Sequence, residues 1–273
     1  MGVLGMGLGR SRGPRWERAL VTGASTGIGR AMAVQLAAAG VDLVLVARSG
    51  DRLEELASEL RASGGQLEVE VLEADLCDPE GLAAVEKRVV AEEAPIDLLV
   101  NNAGLGYEGL FHAQDLAEVS ETIDVNVVAL VRLTHAALRL MTARDRGQVI
   151  LVSSIASLQG MPMTAVYSAT KAFITSFGEG LYEEHKCTGV TVTTVLPGLT
   201  HTEFHQRGHW DLDRWPSIGW QDADAVASVA LAAAAKSRPE VISSWQNRVL
   251  AVLSSKAPRH WRRATIGWFS RRK

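Results

Sequence analysis

The chain has 273 residues, 47% hydrophobic and 22% charged, with a formal net charge of −3. That balance suits one large globular domain with a sizeable core, and it excludes disordered, collagen-like and strongly basic nucleic-acid-binding classes. Its two cysteines, Cys77 and Cys187, have neither metal-ligand spacing nor a disulfide framework, which suits a reducing, cytoplasmic setting.

Residues 1–15 are apolar and glycine-rich with arginines after the apolar stretch, the reverse of a signal peptide, and read as a disordered leader. Short aliphatic runs then alternate with longer amphipathic ones, the pattern of βαβ units. Strands are expected at 19–22, 42–47, 68–72, 98–101, 149–153, 191–196 and 241–243. Helices are expected at 28–39, 51–62, 79–92, 116–142, 164–186 and 223–236. Gly40 is a stop signal, and Pro79 after Asp78 a start signal. Most strand runs are apolar throughout, as strands covered on both faces require. Residues 201–219 break the alternation with His, Trp and Gly and read as a substrate-side loop or lid. The fold class is therefore α/β, a doubly wound parallel sheet of about seven strands in a single domain over 16–256. No charge-free apolar run reaches the roughly eighteen residues of a membrane span.

The chemistry begins at Thr22–Gly29, TGASTGIG, between a predicted strand and a predicted helix. Gly23 permits a tight turn, Gly27 lets a pyrophosphate approach the backbone and Gly29 allows close helix packing. The helix N-terminus attracts phosphate charge. An ordinary glycine-rich turn is the competing reading. Further along stand NNAG at 101–104, Asn126, Ser154, YxxxK at Tyr167 and Lys171, and Pro197, Gly198 and Thr202 as PGxxxT.

In this order and spacing the motifs resemble the short-chain dehydrogenase/reductase family, in its shorter single-domain branch on a Rossmann fold. The resemblance implies dinucleotide contacts from Ser25, Thr26 and Ile28 of the loop, from Asp75 and Leu76 after the third strand, and from Asn102, Ala103 and Gly104. Pro197, Gly198, Thr200 and Thr202 would close over the nicotinamide. For Asp75 a turn-forming role competes. A residue about 20 positions past the glycines meets the adenosine ribose in such folds, and here it is Arg48. A guanidinium there can bind a 2′-phosphate bidentately, which points to NADP(H), with NAD(H) the alternative. Asp42 lies at the wrong end of its strand to select NAD(H).

A free phenol, with a pKa near about 10, is a poor proton donor or acceptor at neutral pH. Lys171, one turn beyond Tyr167, would favour the phenolate. Ser154, at the carboxyl end of a strand, would orient a carbonyl; Ser153 competes with it, and the family's spacing to the tyrosine favours Ser154. By resemblance Lys171 also reaches the nicotinamide ribose, and Asn126 holds a water that relays protons to Lys171. Interconversion of a carbonyl and a secondary alcohol is thus expected. The competing readings are a non-catalytic dinucleotide sensor and a sugar-nucleotide epimerase or dehydratase.

His112, His135, His201, His205 and His209 suggest a metal, but without a second ligand cluster no metal is expected. Tyr107, Trp210 and Trp215 are candidates for an apolar substrate pocket, or for core packing. The end of the chain, 257–273, is basic with Trp261, Trp268 and Phe269, a composition for a peripheral membrane contact, a subunit contact or a solvated tail. Fold analogy alone suggests a lipid-like or steroid-like substrate. The resemblance also implies a homodimer or homotetramer paired through the two longest helices.

Overall fold

The computed structural model describes residues 16–62, 66–212 and 219–256. The expected leader at 1–15, the tail at 257–273 and Trp215 lie outside the described residues.

Strands β1 (Arg18–Thr22), β2 (Asp42–Ala47), β3 (Val69–Glu73), β4 (Leu98–Asn101), β5 (Gly147–Val152) and β6 (Val190–Leu196) fall within two residues of the expected positions. A two-residue bridge, β7 (Thr200–His201) with β8 (Gln221–Asp222), stands apart from them, and β9 (Glu240–Ile242) joins the main sheet. That sheet runs β3-β2-β1-β4-β5-β6-β9, all parallel among the described residues. The strand order reverses between β1 and β4, and ligands of such sheets bind beyond the carboxyl ends at that point.

The apolar runs are explained by the two faces. Val21, Leu43, Leu45, Val100 and Ile150 face one core, and Leu20, Val44, Leu99, Val149 and Leu151 the other. Helices α1 (Gly27–Ala38), α2 (Gly50–Ala62) and α8 (Ala223–Ala235) cover the first face. The second is covered by α3 (Pro79–Val89), α5 (Leu130–Ala143) and α6 (Ala165–Glu184). The Asp78 carboxylate caps α3 by accepting the Gly81 N–H at 2.8 Å, with Pro79 in the first turn. At the sheet's other end Asp42 bonds Arg18 at 2.9 Å, which leaves it remote from the carboxyl edge.

Three elements differ from expectation. The long helix over 116–142 is α4 (Leu116–Ile123) and α5 joined by a π turn, Asp124–Ala129. The run Leu116–Ala143 is apolar and long enough to cross a membrane, yet 56% of its most apolar stretch is buried, and α5 packs on β4 and β5. Within the expected lid lies the short helix α7 (Phe204–Arg207). Helix α9 (Trp245–Lys256) occupies a stretch for which neither helix nor strand was expected.

Candidate active site

A cleft of about 1150 Å³ runs along the carboxyl ends of the sheet. The glycine loop forms one wall. Gly23 has φ +66, a left-handed turn that glycine adopts without strain, and a Cβ on Gly29 would collide with the Gly23 carbonyl. Gly29 lies behind the cleft and Gly27 lies under Thr202, whereas Gly23, Ser25, Thr26, Gly27 and Ile28 line it. The loop is stitched to β4 by Asn102. Its Nδ2 donates to the carbonyl oxygens of Thr22 at 2.9 Å and Gly23 at 3.2 Å, while Thr22 Oγ1 accepts from the N–H groups of Asn102 and Ala103, both at 3.0 Å.

No side chain caps α1 at Thr26, so the amide groups of its first turn are left without a capping partner beside the cleft. Together with the collision at Gly29, this gives the loop the shape and charge that a dinucleotide phosphate requires.

Opposite the loop, Arg48 after β2 and Asp75 and Leu76 after β3 line the cleft's outer end. Arg48 Nη1 donates to Glu121 Oε1 on α4 at 3.0 Å and lies 3.9 Å from Asp75 Oδ2. Asp75 Oδ1 also accepts the Cys77 N–H at 2.9 Å, so the turn-forming role is present alongside the cleft position.

At the other end Ser154, Tyr167 and Lys171 line the cleft together. Ser154 opens a 3-10 turn, Ile155–Leu158, its hydroxyl accepting the Ala156 N–H at 3.1 Å, and lies close enough to the Tyr167 hydroxyl to favour the phenolate. The Ser153 hydroxyl is engaged elsewhere, donating to the Lys171 carbonyl at 2.8 Å and lying 2.7 Å from Thr175 Oγ1. Lys171 Nζ is 5.7 Å from the centre of the Tyr167 ring and donates to the Val152 carbonyl at 2.9 Å. An ammonium has three hydrogens, and this is the one bond its nitrogen makes among the described residues. A buried cation with donors to spare fits ribose hydroxyls.

The electrostatics depart from the expected depression of the phenol. Burial pushes the Tyr167 hydroxyl up to about 12, and the Ser154 hydrogen bond pulls the other way. Burial also pulls Lys171 down to about 8. Desolvation acts on both groups against their charged forms and is the largest cause of each shift.

Asn126, in the π turn, is fully buried behind Gly104. Its Oδ1 accepts the Leu105 N–H at 2.8 Å, and its Nδ2 donates to the Leu105 carbonyl at 2.8 Å and to Thr170 Oγ1 at 2.9 Å. Both amide hydrogens are therefore committed, and the side chain pins the floor made by Asn102, Ala103 and Gly104.

Past β6, Pro197, Gly198, Thr200 and Thr202 line the cleft, followed by residues of the expected lid. Phe204 and Trp210 lie 5.4 and 5.6 Å from the Tyr167 ring, and Trp210 Nε1 donates to the Gly106 carbonyl at 2.7 Å. His205 is buried among Phe204, Trp210 and Trp220, and burial lowers its pKa. His201, His205 and His209 fall on a strand, a helix and a turn, so the helical spacing does not place them on one face. Tyr107 and Trp210 line the cleft as expected of pocket residues, and Asn247 and Ala251 of α9 close it from below. A helical pattern in α9 was available to find the last two.

A family model described as short chain dehydrogenase matches residues 17–211. The chain is similar to very-long-chain 3-oxoacyl-CoA reductase-A of Danio rerio, 33% identical over 189 residues, 68% of this chain and 58% of that relative. It thus spans little more than half the length of that protein. It is also similar to 3-oxoacyl-acyl-carrier-protein reductase of Escherichia coli, 35% identical over 185 residues, 68% of this chain and 74% of that one. Among solved structures, a short-chain dehydrogenase from Sphingobium yanoikuyae in complex with NADPH matches with a TM-score of 0.79 at 33% identity, covering 89% of this chain and 96% of the other. With the family model covering well over half of its length, the chain belongs to the short chain dehydrogenase family, oxidoreductases built on this doubly wound sheet.

Proposed function

We propose that this chain is an NADP(H)-dependent carbonyl reductase that interconverts an apolar, acyl-type ketone and its secondary alcohol. The observation that carries the reading is the meeting of Ser154 and a buried Tyr167 in one cleft, one helical turn from a buried Lys171 with donors to spare, under an apolar roof. Bound NADPH would supply the hydride. Ser154 holds the substrate oxygen, and Tyr167, protonated across the neutral range because burial pushes it up to about 12, gives its proton to that oxygen as negative charge develops. The Lys171 ammonium steadies the phenolate left behind and holds ribose hydroxyls. With both its amide hydrogens committed, the Asn126 side chain could hold a relaying water only as an acceptor, at the second lone pair of Oδ1.

Arg48 at the outer end supports the NADP(H) preference, since a guanidinium there suits a 2′-phosphate. The roof of Phe204 and Trp210, and the 3-oxoacyl substrates named for two relatives, support a lipid-like acyl chain. Apolar residues exposed on α4 and α6, Leu116 and Phe173, support pairing of two copies along these helices.

The test follows reduced nicotinamide by absorbance with 3-oxoacyl thioesters of graded chain length and with hydroxysteroids. Consumption of NADPH with the thioesters is expected. Tyr167→Phe should lower turnover by about 10³-fold or more while leaving NADPH affinity within about threefold. Binding of NADPH without turnover of any carbonyl would instead favour a dinucleotide sensor.

A further inference from the structure

The outer end of the cleft holds more negative charge than positive. Arg48 is within ion-pair range of two carboxylates, Glu121 at 3.0 Å and Asp75 at 3.9 Å, and each of those pairs with no other cation among the described residues. Burial raises the Cys77 thiol, and Asp75, Glu121 and Asp124 add to it, so a third acid shares the region. Glu121 is also fixed from behind. Its second oxygen accepts the Tyr107 hydroxyl at 2.7 Å, and that phenol is pushed up to about 12 by burial and then by the same carboxylate, so it remains a donor. Arg48 and Tyr107 both line the cleft, while Glu121 stands behind and links them.

A 2′-phosphate arriving here brings about two negative charges, and it can be held bidentately only by a guanidinium whose donors are free. It finds the Nε and Nη2 donors of Arg48 unengaged among the described residues, but it must share that one cation with a carboxylate that Tyr107 holds in place and bear its repulsion at close range. A 2′-hydroxyl makes no such demand. We infer that Glu121 is a built-in rival of the cofactor's 2′-phosphate for Arg48, and is the residue that limits how strongly this chain discriminates NADPH from NADH. The inference rests on the NADP(H) reading above. The opposite role for Glu121, a buttress that orients Arg48 toward the phosphate, predicts the opposite sign on substitution.

Binding of NADPH and of NADH is measured by nicotinamide fluorescence for the intact chain, Glu121→Gln, Glu121→Ala and Arg48→Ala. The Arg48–Glu121 pair is partly exposed, so the effect is modest. Both Glu121 variants should bind NADPH about 3- to 10-fold more tightly, change NADH affinity by less than about twofold, and lose part of the gain at high salt. NADPH binding that weakens, or that shifts equally with NADH, overturns the role of Glu121. Arg48→Ala separates the two claims. If it removes the NADPH preference while the Glu121 variants do nothing, only the rivalry fails; if it leaves the preference intact, the NADP(H) reading fails first.

Discussion

At the Tyr167 end of the cleft, Tyr167, Lys171, Ser153 and Asn126 are all buried, and their polar atoms are bonded to the protein or turned to the cleft. At the Arg48 end the side chains of Arg48 and Asp75 are 46% and 42% exposed and are joined by ion pairs. Both ends hang from the same row of strand ends, yet they use charge differently. Where water is excluded, each bond is geometrically demanding and a lost partner leaves a stranded group. Where water enters, pairs are weak and interchangeable, and selectivity can be set by competition among them.

Substitutions should separate the two ends by size of effect. Lys171→Met removes the buried cation beside the phenol, and kcat for ketone reduction should fall by about 10²- to 10³-fold. A loss of only a few-fold would mean the buried end is no more exacting than the exposed one. Gly29→Ala drives a methyl group into the Gly23 carbonyl, and about a 30-fold loss of NADPH affinity is expected, with a lower melting temperature by calorimetry.

The pH profile is the next largest effect. Lys171 sits at about 8, below its ordinary 10.5, so the ammonium is complete only below that value. Reduction should be flat at lower pH and fall about tenfold per unit above pH 8, and Lys171→Arg should erase that break. The folded chain releases this proton before the unfolded chain does, so between about pH 8 and 10.5 this group makes the fold more stable as pH rises. Smallest is Trp210→Phe, which keeps the aromatic roof but loses the bond to the Gly106 carbonyl. KM for an apolar ketone should rise about threefold at unchanged kcat, measured by steady-state kinetics.

The sequence was most informative where function demands particular residue types at short spacing. The glycine loop, NNAG and the Tyr167–Lys171 pair lie along the cleft because each depends on one turn of backbone, and the strands were legible because both faces must be apolar. Features made by distant contacts were hidden. The π turn accompanies the clamp of Asn126 on Leu105, 21 residues away. Glu121 carries no sequence motif, and its place behind the cleft comes from Arg48, 73 residues earlier, folding against it. The upward shift of Tyr167 departs from expectation for a related reason, since helical spacing reveals the neighbouring lysine but not the burial that sets the direction. Helix α9 was obscured because its cleft-facing positions include a polar residue, Asn247, which is buried against the Gly198 turn.

Asn102 has a bearing on how the protein comes into being. The amide that ties down the carbonyl oxygens of Thr22 and Gly23 arrives 80 residues later in the chain. A nascent polypeptide released before β4 would display every glycine of the phosphate loop and could bond the Ala24 N–H to the Val46 carbonyl, but would lack the clamp on the carbonyl oxygens of Thr22 and Gly23. The loop thus gains its full set of bonds only when the fourth strand inserts beside the first, and cofactor capture during synthesis would report that docking event.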